Sequence, residues 1–127
     1  MLYAREARGT VQEVVEKLEE AAKANQFGVL GVINLTEKMQ AKGVDFVPQC
    51  AIVEVCNPVQ AKKVLEGNMA VSTALPCRIS VYEEAGKVQV ATLRPTAVLG
   101  LFGSPDLAPV AQGVEETILR IIDAACQ

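Results

Sequence analysis

Each of the two longest helical patterns in this chain carries its apolar residues on one side only. From Val11 onward the apolar positions are Val11, Val14, Val15, Leu18, Ala21 and Ala22, while Glu13, Glu16, Lys17, Glu19, Glu20 and Lys23 fill the opposite side. Near the end, Leu107, Val110, Ala111, Val114, Ile118, Ile121, Ile122 and Ala125 repeat the pattern. A helix of this kind buries one stripe and must lie against another layer. Other segments switch to a period of two. Ala51, Val53 and Val55 alternate with Cys50, Ile52, Glu54 and Cys56, and Cys77, Ile79 and Val81 alternate with Arg78, Ser80 and Tyr82. Alternation of that kind marks strands. One-sided helices and half-apolar strands together predict an α+β two-layer sandwich, with the helices packed on one face of a mainly antiparallel sheet. The 127 residues make a single domain over residues 1–127.

The expected order is β-α-β-(α)-β-α-β-β-α. Residues 2–8 read as a strand, and Thr10-Val11-Gln12-Glu13 is a capping box that starts the first helix. The run from Val29 to Leu35 is nearly all apolar and reads as a central strand, with Gly31 as a packing notch or a point of close backbone approach. Thr36 is expected to cap a short helix that stops at Gly43. Strand 50–56 leads into Asn57-Pro58, a favoured N-cap followed by a favoured first helical residue, with Gln60 completing a variant capping box. Residues 69–75 read as irregular. A hairpin follows, Cys77–Glu83 and Lys87–Leu93 around Ala85-Gly86. After a short helical turn at 97–102, the last helix is expected to start at Ser104-Pro105-Asp106 and to be delayed or kinked by Pro109.

Composition removes several kinds of function. The chain has no His, which excludes Ser-His and Cys-His catalytic pairs and every His-containing metal site. Its net charge is −3 and it has only five aromatic residues, three Phe and two Tyr, so nucleic acid is not an expected partner. No apolar run is long enough to span a bilayer, and no membrane partner is expected. The N-terminal residues lack the pattern of an export signal, so a cytoplasmic location with four reduced thiols is the expectation. Gly28-Val29-Leu30-Gly31 is not a dinucleotide fingerprint, and Gly100-Leu101-Phe102-Gly103 lacks the basic residues of an RNA-clamping loop. No cofactor is expected.

The candidate site centres on Cys56, Asn57 and Pro58, with Cys77 and Glu54. Cys56 ends a strand just before a capped helix, where a thiolate would have a lowered pKa. Cys77 opens the next strand, so antiparallel pairing would put both cysteines at one end of the sheet. Such a pair could form a disulfide or bind a soft metal. Cysteine also packs as an ordinary small hydrophobe, and the spacing contains no Cys-x-x-Cys core. Both readings stay open from the residues alone. Cys50 and Cys126 are weaker candidates, with Cys126 expected at the surface near the C-terminus. Glu54 would be half-buried if something covered its face of the sheet. That face, with Ile52, Tyr82 and Cys56, is more apolar than a fully wet one and suits a small apolar ligand, a protein partner or self-association.

Phe27-Gly28-Val29-Leu30, Val55-Cys56-Asn57-Pro58 and Leu75-Pro76-Cys77-Arg78-Ile79-Ser80-Val81-Tyr82 occur in order along the chain. In these motifs the chain resembles domain-of-unknown-function family 302. It departs from the family at Gln26-Phe27-Gly28, where the family has Gly-Phe-Gly. The resemblance implies a TATA-binding-protein-like α/β fold, often dimeric, and no established activity; a shared fold does not bring DNA binding with it. Cys56, Asn57, Pro58, Pro76 and Cys77 are the positions it marks. The expected function is a non-catalytic ligand-binding or interaction module acting as a homodimer. The alternative is a thiol-based redox or soft-metal protein using Cys56 and Cys77.

Overall fold

In the computed structural model, which describes residues 1–127, five strands form one antiparallel sheet in the order β1-β5-β4-β3-β2. The strands are β1 (Leu2–Ala7), β2 (Gly28–Asn34), β3 (Cys50–Cys56), β4 (Cys77–Glu84) and β5 (Lys87–Leu93). The helices are α1 (Val11–Ala24), α2 (Leu35–Ala41), α3 (Pro58–Gly67), α4 (Pro95–Gly100) and α5 (Ala108–Ala125). Short 3-10 segments cover Met69–Ala74 and Pro105–Leu107. The α+β two-layer reading holds, and all four strand pairings are antiparallel.

The main core lies where α1 and α5 cover one sheet face. Val14, Leu18, Ile118, Ile121 and Ile122 meet Val53, Val55, Ile79, Val81 and Val90 there. The predicted stripes of α1 and α5 become buried except at Ala21 and Val110, which are half-buried against the core. A second, smaller core joins Val64 of α3 and Val71 of the 3-10 segment to Leu99, Leu107 and Ala111. This satellite fastens α3 and α4 beside the end of the sheet.

Local signals act where the sequence places them. Thr10 and Glu13 form the reciprocal capping box of α1. That helix ends in a Schellman motif: the Phe27 N–H donates to Ala22 O at 2.9 Å and the Gln26 N–H to Lys23 O at 3.2 Å. The motif needs a left-handed residue between them, and Gln26 takes that conformation at φ 60°. Only glycine adopts that conformation without a steric penalty, so Gln26 carries a local backbone cost. The β4–β5 turn puts both Ala85 and Gly86 at positive φ, as a type I′ turn requires.

Three expectations change. The apolar strand β2 is an edge, not a centre, and Leu30 on it is exposed. Its pairing to β3 slips between Val29 and Gly31, so Gly31 sits at a bulge opposite Glu54. Asn34, not Thr36, caps α2 by accepting from the Glu37 N–H. Thr36 is instead fully buried; its hydroxyl donates to Pro48 O and accepts from the Cys50 N–H. It ties the long α2–β3 connection to the sheet, a non-local role that local capping rules do not register. The last helix begins at Ala108, because Pro105–Leu107 form a separate 3-10 turn that seats Leu107 in the satellite core.

Candidate functional site

The end of the sheet where β3 stops and β4 starts gathers most of the predicted residues. Cys56 closes β3, and Asn57 caps α3: its side-chain oxygen accepts from the Val59 N–H at 3.0 Å and the Gln60 N–H at 3.1 Å. Pro58 occupies the first turn. The Asn57 amide also donates to Gln26 O at 3.4 Å, joining α3 to the end of α1. The side chain of Gln60 does not return a bond to Asn57, so only half of the expected capping box forms.

Cys77 opens β4 opposite Val55, one position from Cys56. Along the pleat the two side chains therefore leave from opposite faces, a poor geometry for a disulfide, and both are free thiols. They nevertheless line one narrow apolar recess of about 30 Å³ with Phe27, Ala61 and Val64. The lowered thiol pKa expected at Cys56 is not found. Burial pushes Cys56 above its ordinary value, and burial together with the neighbouring Cys56 pushes Cys77 up to about 11. The amides that would have to offset this burial at the start of α3 are already taken by Asn57. No third Cys, Asp or Glu joins the pair in a metal-ligating group.

Glu54 lies elsewhere. It faces the uncovered side of the sheet, opposite Arg78 in register, and pairs with that guanidinium at 3.4 Å. Its side chain is 20% exposed although no layer covers this face, so its neighbours on the sheet are what half-bury it. Cys126 corrects another expectation. It is buried in the main core, because the apolar stripe of α5 runs through to its last turn. Cys50 is half-buried, with its N–H held by Thr36.

The largest cleft adjoins Cys77. About 300 Å³ of space opens between the 3-10 segment, the start of β4 and α4, walled by Ala74, Leu75, Cys77, Val98 and Leu99. The Leu75–Pro76 peptide on its wall is cis. Sequence reasoning missed the α4 wall entirely. That helix has no side-chain cap of its own. Instead Glu115, from α5, accepts from the Thr96 N–H at 3.1 Å and the Thr96 hydroxyl at 2.6 Å, and pairs with Arg94 at 3.4 Å. Burial acts to raise the Glu115 carboxyl, but these bonds and the Arg94 charge outweigh it and hold the group below the usual carboxylate range. Arg94 also lies over the Tyr3 ring. The only sequence signal was a Pro95-Thr96 helix start with no capping residue before it.

The chain matches the model of the family described as Domain of unknown function DUF302 over residues 3–125. Among solved structures it is similar to the crystal structure of an uncharacterized conserved protein DUF302 from Bacillus stearothermophilus. The two are 36% identical, with a TM-score of 0.93, and the match covers 99% of this chain and 98% of that one. Among the curated proteins, none matches.

Proposed function

This chain belongs to the DUF302 family, and from that premise we propose that it is a non-catalytic binding module that takes a small apolar ligand. The cleft of about 300 Å³ beside Cys77 carries this reading. It falls at the lower end of ligand-pocket sizes, roughly 300–1,000 Å³, and like them is lined chiefly by apolar side chains. Within it Cys77 acts as a small apolar wall, in keeping with its raised pKa. The thiol-based alternative has less support, since both thiols at this end of the sheet favour their protonated form.

The test uses decanol as an apolar probe, followed by backbone amide NMR. Decanol should shift the resonances of Leu75, Cys77, Val98 and Leu99, and Val98→Trp, which fills the cleft, should abolish the shifts. Shifts scattered over the surface, or binding that survives Val98→Trp, would overturn the reading.

A second reading, self-association, rests on the uncovered sheet face. The register aligns Ala4, Ala91, Ser80, Ile52 and Ile33 in one row across all five strands, without a charge. Ion pairs flank that row, Glu54–Arg78 on one side and Glu6–Lys87 on the other. An uncharged, mainly apolar centre with a charged rim is the usual anatomy of an interface between proteins. A homodimer through this face should weaken with Ile52→Asp. Light scattering that gives a monomer at high protein concentration counts against it.

A further inference from the structure

The apolar cleft does not stand alone. It shares Leu75, Pro76, Cys77 and Leu99 with the recess between the cysteines. That recess in turn shares Phe27, Asn57, Gln60 and Val114 with a third cavity of about 140 Å³ beneath the start of α3. The character of the lining changes from one adjoining cavity to the next. The first chamber and the recess are mainly apolar, and the third is walled by Asn25, Gln26, Asn57, Gln60, Thr117 and Arg120.

Charge around these cavities is equally one-sided. The chain has 15 acidic residues, yet none lines any of the three cavities. Two cations do. Arg78, at the rim of the apolar cleft, is engaged by Glu54. Arg120, in the polar chamber, makes no ion pair and holds only the Thr117 hydroxyl, at 3.0 Å. The side chains of Gln26 and Gln60 make no hydrogen bond within the protein, so their amide donors are free beside it. A free guanidinium and free amides with no opposing carboxylate form a receptor for an anion.

We infer that the ligand is an amphipath with a single anionic head, a medium-chain monocarboxylate, its tail in the apolar cleft and its carboxylate at Arg120. This inference rests on the ligand-binding reading above and adds the head group to it. One arginine with neutral amides matches one planar carboxylate, which its fork can hold through two parallel hydrogen bonds. A phosphate dianion would leave a negative charge unanswered, because no second free cation lines the chamber. The tail is held by area alone and takes its share of affinity from the methylenes it buries.

Isothermal titration with decanoate and decanol separates the head from the tail, using the wild type and Arg120→Gln. Arg120 is exposed, so the substitution leaves the core untouched. Decanoate should bind the wild type about tenfold more tightly than decanol, as expected for one charge-assisted contact at a partly solvated site. Arg120→Gln should remove that advantage and leave decanol unchanged, and added salt should weaken decanoate alone. Equal affinities for the two probes, unaffected by Arg120→Gln, would overturn the head-group assignment while leaving the apolar cleft as a binding site. Binding of neither probe would overturn both readings.

Discussion

Replacing Gln26 with glycine should stabilise the protein. Gln26 is held at φ 60° because the Schellman motif at the end of α1 requires a left-handed residue there. For a residue with a side chain that conformation costs roughly 1–2 kcal/mol. Glycine removes the steric cost but adds about 0.4–1 kcal/mol of unfolded-chain entropy. The rest of the motif is indifferent to the change: both hydrogen bonds involve backbone atoms, Phe27 and Ala22 stay packed in the core, and the Gln26 side chain makes no hydrogen bond. The net gain is therefore about 0.5–1 kcal/mol, or a rise in Tm of roughly 2–4 °C for a domain of this size. Thermal unfolding followed by circular dichroism, with urea titration for the free energy, measures it. Gln26→Ala is the control, since it deletes the side chain but keeps the strain, and it should stay within about 0.3 kcal/mol of the wild type. If Gln26→Gly is neutral or destabilising, or if Gln26→Ala stabilises as much, backbone strain is not what distinguishes this position.

Thr36→Val should cost about 1–3 kcal/mol, because it takes the hydrogen-bond partner from the half-buried Cys50 N–H and from the Pro48 carbonyl; Thr36→Ser, which keeps the hydroxyl, should cost far less, and urea midpoints separate the two. Asn57→Ala should cost about 1 kcal/mol by freeing the first amides of α3, read as faster hydrogen exchange at Val59 and Gln60. Cys77 should resist alkylation at neutral pH in the folded protein, with reactivity rising only toward its pKa of about 11; rapid modification at pH 7 would show that the thiol is not held in its protonated form. Because the folded thiol keeps its proton to higher pH than the unfolded one, the native state binds more protons between pH 9 and about 11, so stability should fall as pH rises through that window. Cys77→Ser should flatten that slope in urea titrations across the alkaline range.

What could be read from the residues alone was whatever depends on neighbours in sequence. The stripes of α1 and α5, the alternation of β3 and β4, the capping box at Thr10 and the Asn57-Pro58 helix start all follow from side-chain periodicity and local hydrogen bonding. Those signals were enough to give the layer count, the strand directions and the meeting of Cys56 with Cys77 at one end of the sheet. Features that depend on distant partners were hidden. The apolar run of β2 reads the same at a centre or an edge, and only the strand order makes it an edge. Thr36 looks like a cap until its loop folds back over it. Cys56 reads as a poised nucleophile because a helix start favours an anion, yet Asn57 already occupies the amides and burial raises both thiols. The groove itself was decided by tertiary structure alone. The wall of the apolar cleft is α4, held by Glu115 from a helix later in the chain, and the polar cavity brings Arg120 beside Asn57, more than sixty residues away in sequence. Periodicity tells which face of an element is apolar, but a cavity is the space left between elements, and that space has no signature in any one of them.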